Sequence, residues 1–185
     1  FNAIKDLGFT APTPIQEEAF SVILSGKDVV GIAQTGTGKT LAYLMPMLDE
    51  LKYSDQINPR ILILVPTREL VVQVCDAVNS LTEYMSVRVK GVFGGTNINT
   101  QRISVAEGAD IIVATPGRLL DLMNQRLLSI ADVEYFVLDE ADRMLDMGFI
   151  HDVKKLLAAL PHKRQSLFFS ATMPPEIVKL AGSIL

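Results

Sequence analysis

Short apolar runs alternate with amphipathic segments of helical period along the whole chain, and most runs end in a polar turn. Uninterrupted apolar runs are typical of strands buried on both faces of a parallel sheet. Strands are predicted at 28–32, 61–65, 87–93, 110–114, 135–138 and 166–169. Helices are predicted over 13–26, from the turn after the first strand to 51, then over 66–84, 99–107, 119–123, 150–160 and 173–185. Alternation at this spacing predicts right-handed βαβ units, and therefore an α/β fold of three α/β/α layers around a mostly parallel sheet.

Polar motifs directly follow five of the predicted strands, starting at Ala33, Pro66, Thr115, Asp139 and Ser170. In parallel sheets, ligands bind at the carboxyl ends of the strands. The sequence therefore predicts that these motifs share one ligand-binding edge.

The first motif reads A-Q-T-G-T-G-K-T and lies between a predicted strand and a predicted helix, as a phosphate-binding loop requires. Its glycines allow successive N–H groups to turn toward phosphate oxygens, and the helix adds its positive amino end. Lys39 can reach the β- and γ-phosphates, and the Thr40 hydroxyl suits Mg²⁺. The predicted nucleotide-binding residues here are Ala33, Gln34, Thr35, Gly36, Thr37, Gly38, Lys39 and Thr40. Ala33 stands where such loops usually have their first glycine.

Two carboxylates, Asp139 and Glu140, follow the strand at 135–138. Asp139 can hold Mg²⁺ through water opposite Thr40, and Glu140 can orient or deprotonate an attacking water. The alternative is an acidic helix start that complements the helix dipole. Gln16 also has two interpretations, because its amide can complete a capping box with Thr13 or pair with adenine.

Arg68 and Arg118 each lie beside a threonine at a predicted helix start, an arrangement that suits the backbone phosphates of a polynucleotide. Gly94 and Gly95 would let a nucleic-acid strand approach the main chain closely. Ordinary turns with a solvated arginine are the alternative. The hydroxyls that begin at Ser170 are explained equally well as caps of the last helix.

Composition limits the possible classes of protein. The 185 residues, 49% hydrophobic and 21% charged, fit one globular domain, and no apolar run approaches a membrane span. The net charge of −4 argues against a broad electrostatic grip on nucleic acid, so any such site must be local. The single Cys75 allows no internal disulfide and favours a reducing cytoplasm. His151 and His162 have no spacing typical of metal ligands and are expected at the surface.

Seven motifs in order, from the segment Gly8 to Gln16 through A-Q-T-G-T-G-K-T, P-T-R-E-L, G-G, T-P-G-R and D-E-A-D to S-A-T, resemble the first RecA-like domain of a DEAD-box RNA helicase. The resemblance spans essentially the whole chain, 1–185, and the segment 143–149 looks most like bacterial members such as the RhlE group. It implies ATP and Mg²⁺ as cofactors and RNA as a partner through its sugar-phosphate backbone. It also implies a second RecA-like domain of the same protein as a partner, a monomer, and a cytoplasmic location without membrane contact.

The resemblance also implies roles for individual residues. Gln16 would read adenine, Lys39, Asp139 and Glu140 would be catalytic, and Thr40 and Asp139 would hold Mg²⁺ largely through water. RNA contacts would come from Pro66, Thr67, Arg68, Gly94, Gly95, Thr115, Pro116, Gly117 and Arg118. Coupling between the two domains would involve Asp142, Ser170 and Thr172.

Two expected parts of the family pattern are not in the chain. The aromatic residue that stacks on adenine would lie before Phe1, and the second RecA-like domain with its arginine fingers would lie beyond Leu185. The chain therefore looks like an excised piece, expected to bind nucleotide but to hydrolyse it barely. A GTPase should carry an Asn-Lys-x-Asp motif, which is absent. A non-catalytic RNA- or protein-binding platform and a DNA-acting helicase relative remain as alternatives.

Overall fold

The computed structural model describes residues 23, 25–32, 37–51 and 56–184, and for 37–39 it describes the backbone only. Gln16, its predicted capping partner Thr13 and the loop residues 33–36 therefore lie outside the described residues. In the described part, no helix is long and apolar enough to cross a membrane.

In residues 25–32, 37–51 and 56–184, one helix follows each of the six strands, except that two helices follow the fifth. The strands are β1 (Val29–Ile32), β2 (Ile61–Leu64), β3 (Val89–Val92), β4 (Ile111–Ala114), β5 (Tyr135–Leu138) and β6 (Gln165–Ser170). The helices are α1 (Thr37–Glu50), α2 (Arg68–Leu81), α3 (Ile98–Ala106), α4 (Pro116–Asn124), α5 (Ala141–Asp146), α6 (Ile150–Ala159) and α7 (Pro175–Ile184).

The strands form one parallel sheet in the order β1-β6-β5-β2-β4-β3. Leu64 at the end of β2 is in register with Leu138 of β5 and Ala114 of β4, and Ala114 is in register with Val92 of β3. Because the strands run the same way and end at matching positions, every segment that follows a strand emerges at one edge. The predicted α/β fold is confirmed, and the motifs that start at Pro66, Thr115, Asp139 and Ser170 share one edge as predicted.

Alternate residues of the strands β2, β4, β5 and β6 pack into two separate cores, one on each face of the sheet. Leu62 and Leu64 of β2 belong to the core covered by α3 to α7, whereas Ile61 and Ile63 belong to the core under α1 and α2. The strands β2, β4 and β5 are covered by helices on both faces, which explains why they are almost entirely apolar.

Two of the differences between the predicted helices and the structure have clear physical reasons. Helix α2 ends at Leu81 instead of residue 84. The hydroxyl of the next residue, Thr82, donates a hydrogen bond to the Val78 carbonyl and so caps the helix. Helix α5 was not predicted at all. Its six residues are too few to show a helical period, and its start coincides with the acidic motif that drew the functional interpretation.

A buried ion-pair cluster joins three strands at the amino edge of the sheet. The Asp110 carboxylate, which is 1% exposed, accepts hydrogen bonds from Arg60 at 3.0 Å, from the Arg88 guanidinium at 3.2 Å, and from the Arg88 main-chain N–H at 2.9 Å. Burial alone would raise the pKa of Asp110, but the hydrogen bonds from Arg88 and Arg60 outweigh it and hold that pKa below its ordinary value. The cluster fixes the starts of β2, β3 and β4 opposite the motif edge.

Candidate functional site

The two predicted carboxylates lie at the carboxyl end of β5 and are both buried. Asp139 is 3% exposed and continues the strand pairing by donating its main-chain N–H to the Leu64 carbonyl at 3.0 Å. Glu140 is 7% exposed and has left-handed backbone angles, φ 57° and ψ 49°, directly before α5. Non-glycine residues adopt this conformation at a cost, and such strain collects at functional sites. Its carboxylate lies 3.7 Å from the Arg143 guanidinium.

A stack of aromatic rings underlies this end of the sheet. The Tyr43 ring of α1 is fully buried and stacks on Phe169 of β6 with centroids 5.4 Å apart. Gly31 of β1 lies against the other ring: a Cβ there would come within 2.7 Å of Phe169. Burial first, and then the nearby Asp139 carboxylate, raise the pKa of Tyr43 well above its ordinary value, so the phenol stays protonated. Sequence reasoning missed Tyr43, although its position one helical turn after Thr40 was a usable signal.

The donors present fit a hydrated Mg²⁺ ion. Thr40 is half-buried in the first turn of α1, and both Thr40 and Asp139 lie close enough to influence the Tyr43 hydroxyl. A hydroxyl and a carboxylate are oxygen ligands of the kind Mg²⁺ takes alongside water and nucleotide phosphates. No group of three His, Cys, Asp or Glu side chains suited to a metal occurs among the described residues, so an all-protein metal cage is not formed there.

The third predicted group, Asp142, Ser170 and Thr172, forms a closed hydrogen-bond network between α5 and the end of β6. The Asp142 carboxylate accepts from the Thr172 hydroxyl at 2.8 Å and from its main-chain N–H at 3.1 Å. Ser170 accepts from the Asp142 N–H at 3.1 Å and donates to the Thr172 carbonyl at 2.7 Å. Burial would raise the pKa of Asp142, but the hydrogen bonds, that of the Thr172 hydroxyl foremost, lower it below its ordinary value.

The motif after β2 combines a helix cap with an exposed cation. Pro66 is buried, and the Thr67 hydroxyl caps α2 by accepting from the Leu70 N–H at 3.2 Å. Arg68 is exposed, and its guanidinium lies 5.1 Å from the centroid of the Phe93 ring. The Thr67 hydroxyl is therefore occupied as a helix cap, and cation–π contact orients Arg68 toward the segment after β3.

The motifs after β3 and β4 lie side by side at the far end of the edge. Gly94 and Gly95 are exposed with open space around both, and Gly95 has φ +82°, which favours glycine. Thr115 and Pro116 are buried at the start of α4, and Gly117 is half-buried. Thr115 donates its N–H to the Val92 carbonyl at 2.9 Å, which continues the β3–β4 pairing.

Arg118 reaches from α4 to the neighbouring turn. Its guanidinium donates to the Gln101 side-chain oxygen at 3.0 Å and to the Thr96 carbonyl at 3.1 Å. Neither Arg118 nor Arg68 forms an ion pair within the part of the chain that the structure describes. Among the described residues, these two positive charges therefore have no carboxylate partner. They lie along the β2-β4-β3 half of the edge, whereas Asp139 and Glu140 lie along the β1-β6-β5 half.

The parallel sheet, with a phosphate-loop sequence after β1 and buried acids after β5, defines a RecA-like α/β domain. A family model described as DEAD/DEAH box helicase matches residues 13–180. The chain belongs to this family.

Relatives agree with this assignment. The chain is 44% identical over 184 residues to the ATP-dependent RNA helicase DeaD of Mycobacterium tuberculosis, covering 99% of this chain and 32% of the relative. It is 46% identical over 178 residues to the ATP-dependent RNA helicase CshA of Listeria monocytogenes, covering 96% and 34%. A crystal structure of a hypothetical ATP-dependent RNA helicase from Sulfolobus tokodaii matches with a TM-score of 0.90 and 39% identity, covering all of this chain and 53% of that one. The chain thus spans about a third of the length of the curated relatives it matches.

Proposed function

We propose that this chain is the ATP-binding half of a DEAD-box RNA helicase. In the full-length protein it would couple ATP binding and hydrolysis to local unwinding of RNA duplexes or to remodelling of RNA–protein complexes. The observation that carries the proposal is the division of one sheet edge into two halves. Buried Asp139 and Glu140 lie in one half, and Arg68 and Arg118, without ion pairs among the described residues, lie in the other.

In the nucleotide half, the loop 33–40 holds the phosphates, Lys39 contacts the β- and γ-phosphates, and Gln16 reads adenine. Thr40 and Asp139 would hold Mg²⁺ largely through water, and the ion would neutralise charge on the phosphates. The strained Glu140 orients the attacking water and accepts its proton. Its left-handed backbone holds the carboxylate at the end of the strand.

In the nucleic-acid half, the segments after β2, β3 and β4 contact the sugar-phosphate backbone of RNA. The proposed residues are Pro66, Thr67, Arg68, Gly94, Gly95, Thr115, Pro116, Gly117 and Arg118. The exposed Gly94–Gly95 turn and the N–H groups at the start of α4 are main-chain donors of the kind that bind phosphates. Contacts of this kind carry no base readout, so we propose binding without strong sequence preference.

A second RecA-like domain of the same protein would complete both sites in a monomer. We propose that Asp142, Ser170 and Thr172 couple RNA binding to closure of the two domains, because their network joins the acidic strand end to β6. Arginine fingers are worth roughly 10³–10⁵-fold in related phosphoryl transfers, so the isolated domain should hydrolyse ATP barely. The single cysteine supports a reducing, cytoplasmic location.

The central experiment measures RNA-stimulated phosphate release by the full-length protein. Glu140→Gln should lower turnover at least about a hundredfold, because a positioned general base contributes about 10²–10⁴-fold. Glu134→Gln is the matched control, because Glu134 is exposed and directly precedes β5; this variant should hydrolyse ATP at the wild-type rate. Wild-type turnover in the Glu140 variant would remove the water-activating role.

Two further comparisons separate the alternatives. RNA should stimulate ATP turnover in the full-length protein far more than DNA does. Equal stimulation by both would favour a DNA-acting relative, and the absence of ATP turnover would favour a non-catalytic platform. Gln16→Ala should weaken the binding of ATP much more than the binding of GTP, whereas equal weakening of both would show that Gln16 acts only as a helix cap.

A further inference from the structure

We propose that Gln101 is a positioning residue of the nucleic-acid-binding half, where its amide joins the Gly94–Thr96 turn to Arg118 so that the two segments bind RNA as one surface. The inference rests on the proposed RNA site. It assigns a role to a residue of α3 that belongs to none of the strand-end motifs.

Gln101 is 7% exposed, and both the nitrogen and the oxygen of its side-chain amide form hydrogen bonds. Its Nε2 donates to the Phe93 carbonyl and to the Thr96 hydroxyl, both at 2.9 Å, and its Oε1 accepts from Arg118 at 3.0 Å. The orientation of the amide is determined by these partners, because a carbonyl can only accept and a guanidinium can only donate. Rotating the amide by 180° would break the contacts with Phe93 and Arg118.

Gln101, Thr96 and Arg118 form a closed ring of hydrogen bonds, because Arg118 also donates to the Thr96 carbonyl at 3.1 Å. Both of its acceptors in this ring are neutral, so its positive charge is not cancelled by them. The guanidinium has five N–H groups, of which these contacts use two. The ring therefore fixes Arg118 while leaving it charge and donors for a phosphate, and it fixes the turn that carries the exposed Gly94 and Gly95.

Packing alone does not account for a glutamine at this position. Only Gln101 and Val105 of α3 are buried, and burying an amide is unfavourable unless its hydrogen bonds are satisfied. An apolar side chain of similar size would fill the space without needing three partners. The Arg68 guanidinium over the Phe93 ring extends the same connection to the segment after β2. Gln101 thus lies at the centre of contacts that link all three proposed RNA-binding segments.

The test uses the full-length protein and a double-mutant cycle. Affinity is measured for a fluorescein-labelled single-stranded oligouridylate in the presence of Mg²⁺ and a non-hydrolysable ATP analogue, and separately for the nucleotide. The variants are Gln101→Ala, Arg118→Ala and the double variant. Gln73→Ala, at an exposed position of α2, is the matched control.

We expect Gln101→Ala to weaken RNA binding about tenfold and to raise the KM for RNA, with kcat at saturating RNA and nucleotide affinity within about twofold of wild type. The double variant should bind RNA within about twofold of Arg118→Ala, because both changes disrupt one arrangement. Gln73→Ala should match the wild type. Gln101→Glu keeps the size and the acceptor for Arg118 but loses both donated bonds, so it should also weaken RNA binding if the alanine variant does not fold.

Wild-type RNA affinity in Gln101→Ala or Gln101→Glu would overturn the inference, and so would single effects that multiply in the double variant. A fall in kcat and nucleotide affinity with an unchanged KM for RNA would show a purely structural role and overturn it as well. If the wild-type protein bound no RNA, the proposed function itself would fail, which the wild-type measurement shows directly.

Discussion

The most quantitative test of the fold concerns Asp110, the carboxylate at the centre of the amino-edge cluster. Asp110→Asn keeps the shape of the side chain but removes its charge. It also places an amide N–H₂ where one of the donors of Arg60 or Arg88 now points. Because Asp110 is 1% exposed, water cannot replace the lost interactions without opening the starts of β2, β3 and β4.

The size of the effect follows from burial. Removing one partner of a buried ion pair costs about 3–5 kcal/mol, and about 3 kcal/mol applies here because the Arg88 side chain is 33% exposed and partly screened. At about 2–4 °C per kcal/mol for a domain of this length, the thermal midpoint should fall by roughly 6–12 °C. Folding free energies of 5–15 kcal/mol are usual, so the variant should remain folded at 25 °C.

The measurement is thermal and urea unfolding of wild type, Asp110→Asn and the control Asp121→Asn, in which an exposed aspartate receives the same change. Because the folded pKa of Asp110 is below its unfolded value of about 3.9, the stabilisation is fully present above that pH and is lost as the pH falls through the folded pKa. The difference in thermal midpoint between Asp110→Asn and wild type should therefore be constant from about pH 6 to 8 and become smaller in acid. A midpoint within about 2 °C of wild type at pH 7 would refute the reasoning, as would a gap that widens in acid.

Three further predictions concern single contacts. Gly31→Ala places a Cβ within 2.7 Å of the Phe169 ring and should cost about 1–3 kcal/mol in urea unfolding, together with weaker nucleotide binding in a fluorescence titration; unchanged stability would show that the ring yields freely. Thr172→Val removes the 2.8 Å hydrogen bond to Asp142 and should raise the pKa of that carboxyl toward its ordinary value, as an NMR titration would show, whereas a further fall would contradict the assigned cause. Burial, with a smaller effect of a neighbouring carboxylate, raises the pKa of the Cys75 thiol to about 11, so its reaction with a disulfide reagent at pH 8 should be about a hundredfold slower than that of free cysteine; equal rates would contradict it.

The strand order shows what the hydrophobic pattern could and could not predict. Apolar runs such as Ile61–Leu64 identify strands covered on both faces, and their alternation with helices implies parallel pairing. The pattern contains no information on which strands are neighbours, so the placement of β6 between β1 and β5 emerges only in three dimensions. That placement brings Ser170 beside Asp142, which is 28 residues away in sequence.

The candidate site could be predicted where polar side chains directly follow an apolar strand. Asp139 and Glu140 are such residues, and both lie buried at the expected edge of the sheet. Tyr43 and Gln101 were missed because they lie within helices, where an aromatic ring or an amide usually indicates ordinary packing or solvation; only the spacing of one helical turn after Thr40 distinguished Tyr43. The positive φ of Glu140 also has no sequence signal, since glutamate rarely adopts it.

Helix α5 physically connects the ends of β5 and β6, which are neighbours in the nucleotide half of the sheet edge. The helix begins directly after Asp139 and Glu140, the two acids that follow β5. Its Asp142 carboxylate accepts hydrogen bonds from Thr172, which lies beyond the end of β6. A shift of the segment at Ser170–Thr172 must therefore move Asp142, and with it the left-handed Glu140 two residues before, because so short a helix cannot absorb the displacement internally. Contact of a second domain with the exposed Thr172 would then alter the position of the proposed water-activating carboxylate. Thr172→Val should accordingly reduce RNA-stimulated turnover in the full-length protein more than it reduces nucleotide affinity, and an equal loss in both would show that this connection carries no coupling.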